Sequence, residues 1–107
     1  MHITTELHGD RATLTPHGDI DADHVDQLRA SVTALPDAVT SLVWDLRDAP
    51  FLDIPGLHLF EPATDPVRTT VVNLQPQPLR LLRLAHELFP DSGWERHLND
   101  PGTAEAA

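Results

Sequence analysis

Hydrophobic and polar positions alternate from the start of the chain. Ile3, Thr5 and Leu7 fall on one side and Thr4, Glu6 and His8 on the other, the period-2 signature of a half-buried strand. Gly9 and Asp10 supply a two-residue turn, and residues 11–16 resume the alternation with Ala12 and Leu14 inward, which predicts a hairpin with a Gly-first loop. Pro16 cannot donate to a ladder and marks a strand end or a sheet edge. From Asp23 the period becomes helical. Val25, Leu28, Val32 and Leu35 share one face, Asp26, Arg29 and Thr33 take the other, Asp21 or Asp23 is available as a cap, and Pro36 stops the segment. Residues 41–46 form a short apolar run that needs cover on both faces, as a central strand does, and the helix before it predicts a βαβ crossover.

Residues 49–60 read as a loop running into a short helix, which Pro62 and Pro66 cut off. Residues 68–74 read as another buried strand through Val71, Val72 and Leu74. After a Pro-rich turn at 75–78, Pro78 opens a helix with Leu81, Leu82, Ala85, Leu88 and Phe89 on its inner face and Arg80, Arg83 and Glu87 on the outer, ended by Pro90. A small terminal element around Trp94 and Leu98 completes a single domain over residues 1–98, and residues 99–107 are expected to form a flexible tail. His-Gly-Asp occurs at 8–10 and again at 17–19, but nothing around it repeats.

At 107 residues there is room for one domain, and a hydrophobic content of 40% supplies one modest core. Seventeen acidic against seven basic side chains give a net charge of −10, a field that repels phosphate backbones and anionic lipid. Nucleic acid and membrane surfaces are therefore not expected partners, and a basic protein is. With no Cys, disulfides, thiolate metal sites and cysteine nucleophiles are excluded together. No apolar run approaches the ~20 residues that cross a bilayer, and the first residues lack a basic segment followed by an apolar one, so a soluble cytoplasmic protein is expected. All seven basic residues are Arg, which with abundant Ala, Asp and Pro suggests a GC-rich bacterial genome.

Candidate chemistry is sparse. Of the seven His, no two stand at a one-turn helical or alternate-strand spacing, and His8 and His17 lie at opposite ends of the second strand, roughly 20 Å apart at ~3.3 Å per residue. No metal site is expected. Ser31, Ser41 and Ser92 lack a nucleophile elbow, and the five Gly are scattered singly, so neither a catalytic triad nor a phosphate or cofactor loop is present. The acids at 19, 21, 23 and 26 read first as a cap and a solvated face. An enzyme using the cluster near Asp21 with His24 as acid or base would lack any accompanying nucleophile, and no enzyme is expected.

What stands out is the order of segments. A Gly-Asp-Ile-Asp turn at 18–21 precedes a helix, a strand ends in Trp44, Asp45 and Leu46, and Phe51, Leu52, Asp53, Ile54, Pro55, Gly56 and Leu57 open the next helix. Over roughly residues 3–90 the chain resembles the STAS domain, found in sulfate transporters and bacterial anti-sigma factor antagonists. The resemblance implies an α/β fold with a mixed, mostly parallel sheet, an N-terminal hairpin and helices packed mainly on one face. It also implies a non-catalytic module that binds other proteins and regulates transcription. In phosphorylated members the loop reads Asp-Ser-Ser-Gly or Asp-Ser-Thr-Gly, and a partner serine kinase, itself the anti-sigma factor, modifies the hydroxyl after the Asp. Asp53 and Gly56 match that loop, whereas the acceptor position is Ile54 and the next is Pro55, so the switch is missing. The following helix is also shorter than is usual in the family.

Phe51, Leu52 and Leu57 read first as core packing at a strand-to-helix junction. Ile54, next to the Asp at a helix start, is expected to be exposed and to anchor a partner. The expected partner face joins Asp19, Asp21 and Asp23 with Asp53, Ile54, Pro55, Gly56 and Leu57, provided the second hairpin strand runs parallel to the strand at 41–46. A structural or scaffolding subunit without regulatory switching is the alternative, and a homodimer stays open.

Overall fold

The computed structural model describes residues 1–61 and 68–98. The stops expected at Pro62 and Pro66 and the tail expected over 99–107 lie outside the described residues. Strands β1 (His2–His8) and β2 (Arg11–His17) form an antiparallel hairpin in the register His2 to His17 and His8 to Arg11. β3 (Ser41–Asp45) runs parallel to β2, and β4 (Arg68–Val72) runs parallel to β3, giving the sheet order β1-β2-β3-β4. The sheet is therefore mixed and mostly parallel with an N-terminal hairpin.

Alternation builds its two faces. Ala12, Leu14, Leu42, Trp44 and Val71 are buried on the side covered by helices, whereas Thr4, Glu6, Thr13 and Thr15 look out from the hairpin on the other side. β1 is an edge strand, so its inward side chains are covered less completely: Ile3 is half-buried, and Leu7, expected inward, is half exposed. Pro16 sits opposite Ile3, beyond the last parallel pair of Leu14 with Trp44, where β3 asks for no donor.

Helix α1 (Val25–Thr33) buries Leu28, with Val32 and Leu35 packed against the core. Neither Asp21 nor Asp23 caps it. His24 holds the cap position and makes no side-chain capping bond to the helix N–H groups, and the Asp21 carboxylate is turned back to accept the Asp23 N–H at 3.1 Å and to meet His24 Nδ1 at 2.8 Å. Helix α2 (Ile54–Leu57) continues into a 3₁₀ turn, His58–Phe60, whose Phe60 ring packs edge-on to Trp44 at 5.5 Å.

Helix α3 (Pro76–Leu88) begins two residues before the expected Pro78, with Pro76 in its first turn. Pro78, Leu79, Leu82 and Ala85 are its buried residues. Leu88 and Phe89, expected on the core face, are instead exposed, and Leu84 with them, because they belong to the neighbouring stripe, which faces α2. A final 3₁₀ turn, Trp94–His97, closes the apolar layer with Trp94. His97 is fully buried beside it and donates from Nε2 to the Phe60 carbonyl at 2.7 Å, so its proton sits on Nε2. Nδ1 of that ring has no hydrogen-bond partner, and burial pushes the imidazole pKa below its usual value.

Candidate functional site

Because β2 and β3 are parallel, the loops that leave their C-terminal ends emerge on the same edge of the sheet, and backbone bonds tie them together. Gly18 N–H donates to the Asp48 carbonyl at 3.0 Å, Ile20 N–H to Phe51 at 2.9 Å, and Asp53 N–H to Ile20 at 3.2 Å, with Ile20 and Leu52 paired as an isolated parallel bridge. Both Ile20 and Leu52 are fully buried. The turn carrying Asp19, Asp21 and Asp23 thus lies against the loop that opens α2.

Asp53 joins the two. One carboxylate oxygen accepts the Gly56 N–H at 2.8 Å and caps α2; the other accepts the Ala22 N–H at 3.1 Å, from the acidic turn. Across the loop, Gln77 in the first turn of α3 clamps the Leu52 peptide from both sides, its Nε2 donating to the Leu52 carbonyl at 2.9 Å and its Oε1 accepting the Leu52 N–H at 2.8 Å. Gly56 is buried where a side chain has no room: a Cβ there would stand 2.5 Å from the Ile20 carbonyl oxygen. This close approach, rather than an unusual dihedral, is what requires glycine.

Around this frame the outward groups are Ile54, 57% exposed, with Pro55 also exposed, and Phe51 at 42%. Phe51, expected in the core, points out because it precedes the buried Leu52 in an extended segment whose side chains alternate. Leu57 is half-buried against the core. Asp19 and Asp23 are exposed, and Asp21 and Asp53 are partly buried. Ile54 holds the first helical position after the capping Asp53, so its side chain leaves the surface where the acidic turn and α2 meet.

Behind the loops, Asp45 fixes the ends of β3 and β4. It accepts from Arg47 Nε at 2.9 Å and backbone N–H at 3.1 Å, and from Asn73 Nδ2 at 3.0 Å. Burial alone would raise its pKa, but the hydrogen bonds from Arg47 and Asn73 and the guanidinium charge outweigh it and hold the carboxyl below the usual range.

Three features escaped sequence reasoning. The Gln77 clamp and the His97 bond link residues 25 and 37 positions apart. The hairpin register also stacks His2 on His17 with ring centres 5.1 Å apart, a pairing that spacing within one strand does not reveal, while His17 Nδ1 meets Asp48 at 2.9 Å. Among the described residues no group of three or more His, Cys, Asp or Glu is placed to hold a metal ion. No described helix is long and apolar enough to cross a membrane.

Comparison with known proteins places this architecture. The fold is similar to that of a solved structure of the anti-sigma factor antagonist SpoIIAA in its unphosphorylated form, with a TM-score of 0.66, 21% sequence identity, and coverage of 98% of this chain and 90% of that one. No curated protein matches. The STAS domain model matches residues 2–90, nearly the whole of the described structure. The chain belongs to the STAS domain family.

Proposed function

We propose that this chain is a non-catalytic regulator of the anti-sigma factor antagonist type, acting in a bacterial cytoplasm. Its partner face is formed by Asp19, Asp21 and Asp23 with Asp53, Ile54, Pro55, Gly56 and Leu57. The observation that carries this reading is Ile54, an exposed apolar side chain at the helix start directly after the capping Asp53, the position where phosphorylated members of the family bear a hydroxyl. An apolar centre ringed by carboxylates suits a partner with Arg or Lys around an apolar pocket. Neither Ile54 nor Pro55 can carry phosphate, so the face stays in its unphosphorylated form. The partner is an anti-sigma factor of the serine-kinase type.

The test is affinity capture on the immobilised chain, with the retained proteins identified by mass spectrometry. An ATPase-fold anti-sigma factor among them, lost when Ile54→Asp is immobilised instead, is the expected outcome. Retention of only a stable complex without such a factor would replace this reading with a scaffolding subunit.

A further inference from the structure

Strand β1 leaves one side of the sheet open. The two-residue turn at Gly9 and Asp10 makes His8 and Arg11 a hydrogen-bonded pair, so His2, Thr4, Glu6 and His8 turn their backbone N–H and C=O groups toward β2, and Ile3, Thr5 and Leu7 turn theirs outward. The Asp10 carbonyl fixes the same phase from the other strand. It accepts the Thr40 and Ser41 N–H groups at 2.8 and 3.2 Å, which sets Asp10, and with it Ala12 and Leu14, on the β3 side of β2. Among the described residues, no turn, loop or helix bonds to the outward groups of Ile3, Thr5 and Leu7.

The opposite edge of the sheet is covered. The Trp94–His97 turn runs beside β4, and Arg96 Nη1 reaches the Thr69 carbonyl at 3.4 Å. β1 has none of the devices that keep a free edge single: it pairs in unbroken register from His2 to His8 without a bulge, and it contains no Pro, Lys or Arg.

What fits this edge is written in the strand itself. About Thr5 the sequence has the same pattern read from either end, His2 answering His8, Ile3 answering Leu7 and Thr4 answering Glu6. Two β1 strands laid antiparallel with Thr5 opposite Thr5 bring Ile3 of each copy against Leu7 of the other, where Ile3 is partly buried and Leu7 is half exposed. Thr4 meets Glu6 on the other face. Ile3, Thr5 and Leu7 are also the residues whose backbone groups point outward, so each of these facing pairs exchanges both of its backbone hydrogen bonds. Slipping one copy by two residues either sets Glu6 against Glu6 or loses the match of Ile3 with Leu7.

We infer that a second copy of this chain adds at the β1 edge, forming a two-fold dimer whose sheet continues antiparallel through the two β1 strands. This surface lies along β1, whereas the proposed partner face lies at the C-terminal ends of β2 and β3, and neither reading depends on the other. The net charge of −10 on each copy opposes approach at long range, so added salt tightens the dimer.

The experiment follows backbone amide hydrogen exchange by NMR over a series of protein concentrations, with the association state read by sedimentation equilibrium. Dimerisation, accompanied by protection of the Ile3, Thr5 and Leu7 amides that grows with concentration and sets in earlier at high salt, is expected. Leu7→Lys lowers the net negative charge yet puts an ammonium group against Ile3 of the other copy, and Thr5→Pro removes an N–H that the hairpin does not use. Both should weaken association about tenfold or more. Leu7 is half exposed, so Leu7→Lys should melt with the parent, and it decides the matter if Thr5→Pro does not fold. A parent still monomeric near ~1 mM, a dimer in which these amides exchange freely, protection independent of concentration, or association unchanged in Leu7→Lys overturns the proposal.

Discussion

Replacing Gly56 by alanine probes the joint between the two loops directly. The added methyl would meet the Ile20 carbonyl oxygen at 2.5 Å and Ile20 Cγ2 and Leu52 Cδ1 at 2.9 Å, all on fully buried residues. Side chains can rotate away, but the carbonyl belongs to backbone that also accepts the Asp53 N–H at 3.2 Å. Overpacking of this kind costs typically 1–3 kcal/mol, and losing the Ile20 to Asp53 bond adds about 1 kcal/mol. Alanine's better helix propensity returns about 1 kcal/mol. The net expectation is a loss of about 2 kcal/mol, a fall in melting temperature of roughly 8–16 °C for a domain of this size. Gly9→Ala is the control: nothing lies within 4 Å of its Cβ, and its φ of +63° leaves only the left-handed penalty of about 1 kcal/mol. Thermal melting followed by circular dichroism reads both. A Gly56→Ala protein that melts with the parent, or no lower than Gly9→Ala, would refute the close approach of α2 to Ile20.

Asp53→Ala removes acceptors from two backbone N–H groups, Gly56 and Ala22, and should cost about 1–2 kcal/mol in urea unfolding, with Asp53→Asn losing less; a parent-like midpoint for the alanine variant would contradict the bridge. His97 is neutral in the fold with its pKa held below 6.5, so the unfolded chain binds the proton more readily; its contribution to stability is complete above about pH 6.5 and lost as pH falls through the lower folded value. Urea midpoints should therefore drop on acidification from about pH 7.5 to 5.5 more steeply in the parent than in His97→Gln, and parallel profiles would rule this out. Asp45, held below its usual 3.8, acts in a separate window: its contribution is present above that value and is lost only at still lower pH. Incubation with an anti-sigma serine kinase and ATP should leave the intact mass unchanged, whereas a phosphate mapped to a hydroxyl close in sequence, such as Thr64, would show the switch relocated.

Period and punctuation carried much of the fold. The alternation at 3–16 around Gly9 and Asp10, and the apolar run at 41–46 after an amphipathic helix, are local signals, and both correspond to elements in the structure. The Asp53 cap was legible for the same reason, an Asp directly before a short apolar helix. What sequence could not resolve is orientation between elements. A helix such as α3 with apolar residues over a wide arc does not declare which side meets the sheet: periodicity alone puts Leu88 and Phe89 inward, whereas the fold exposes both and buries Leu79. Phe51 beside Leu52 reads as core packing at a strand-to-helix junction, yet alternation in an extended loop admits only one of the two. The buried His97 and the Gln77 clamp depend on contacts made after the chain has folded back, and a lone His or Gln carries no local trace of them. The adjacency of the acidic turn and the α2 loop followed from one conditional, that β2 and β3 run parallel, and they do.

On the proposed partner face, affinity resides at the edge where the acidic turn meets Ile54, and titration of the captured partner against the parent, Ile54→Asp and Arg11→Ala at two salt concentrations locates it. Arg11 is exposed at the opposite end of β2, paired with Ser41. Loss of roughly 30-fold or more in affinity for Ile54→Asp, little change for Arg11→Ala and weaker parent binding at high salt are the predicted results. Equal affinity for Ile54→Asp and the parent would place partner binding elsewhere on the protein.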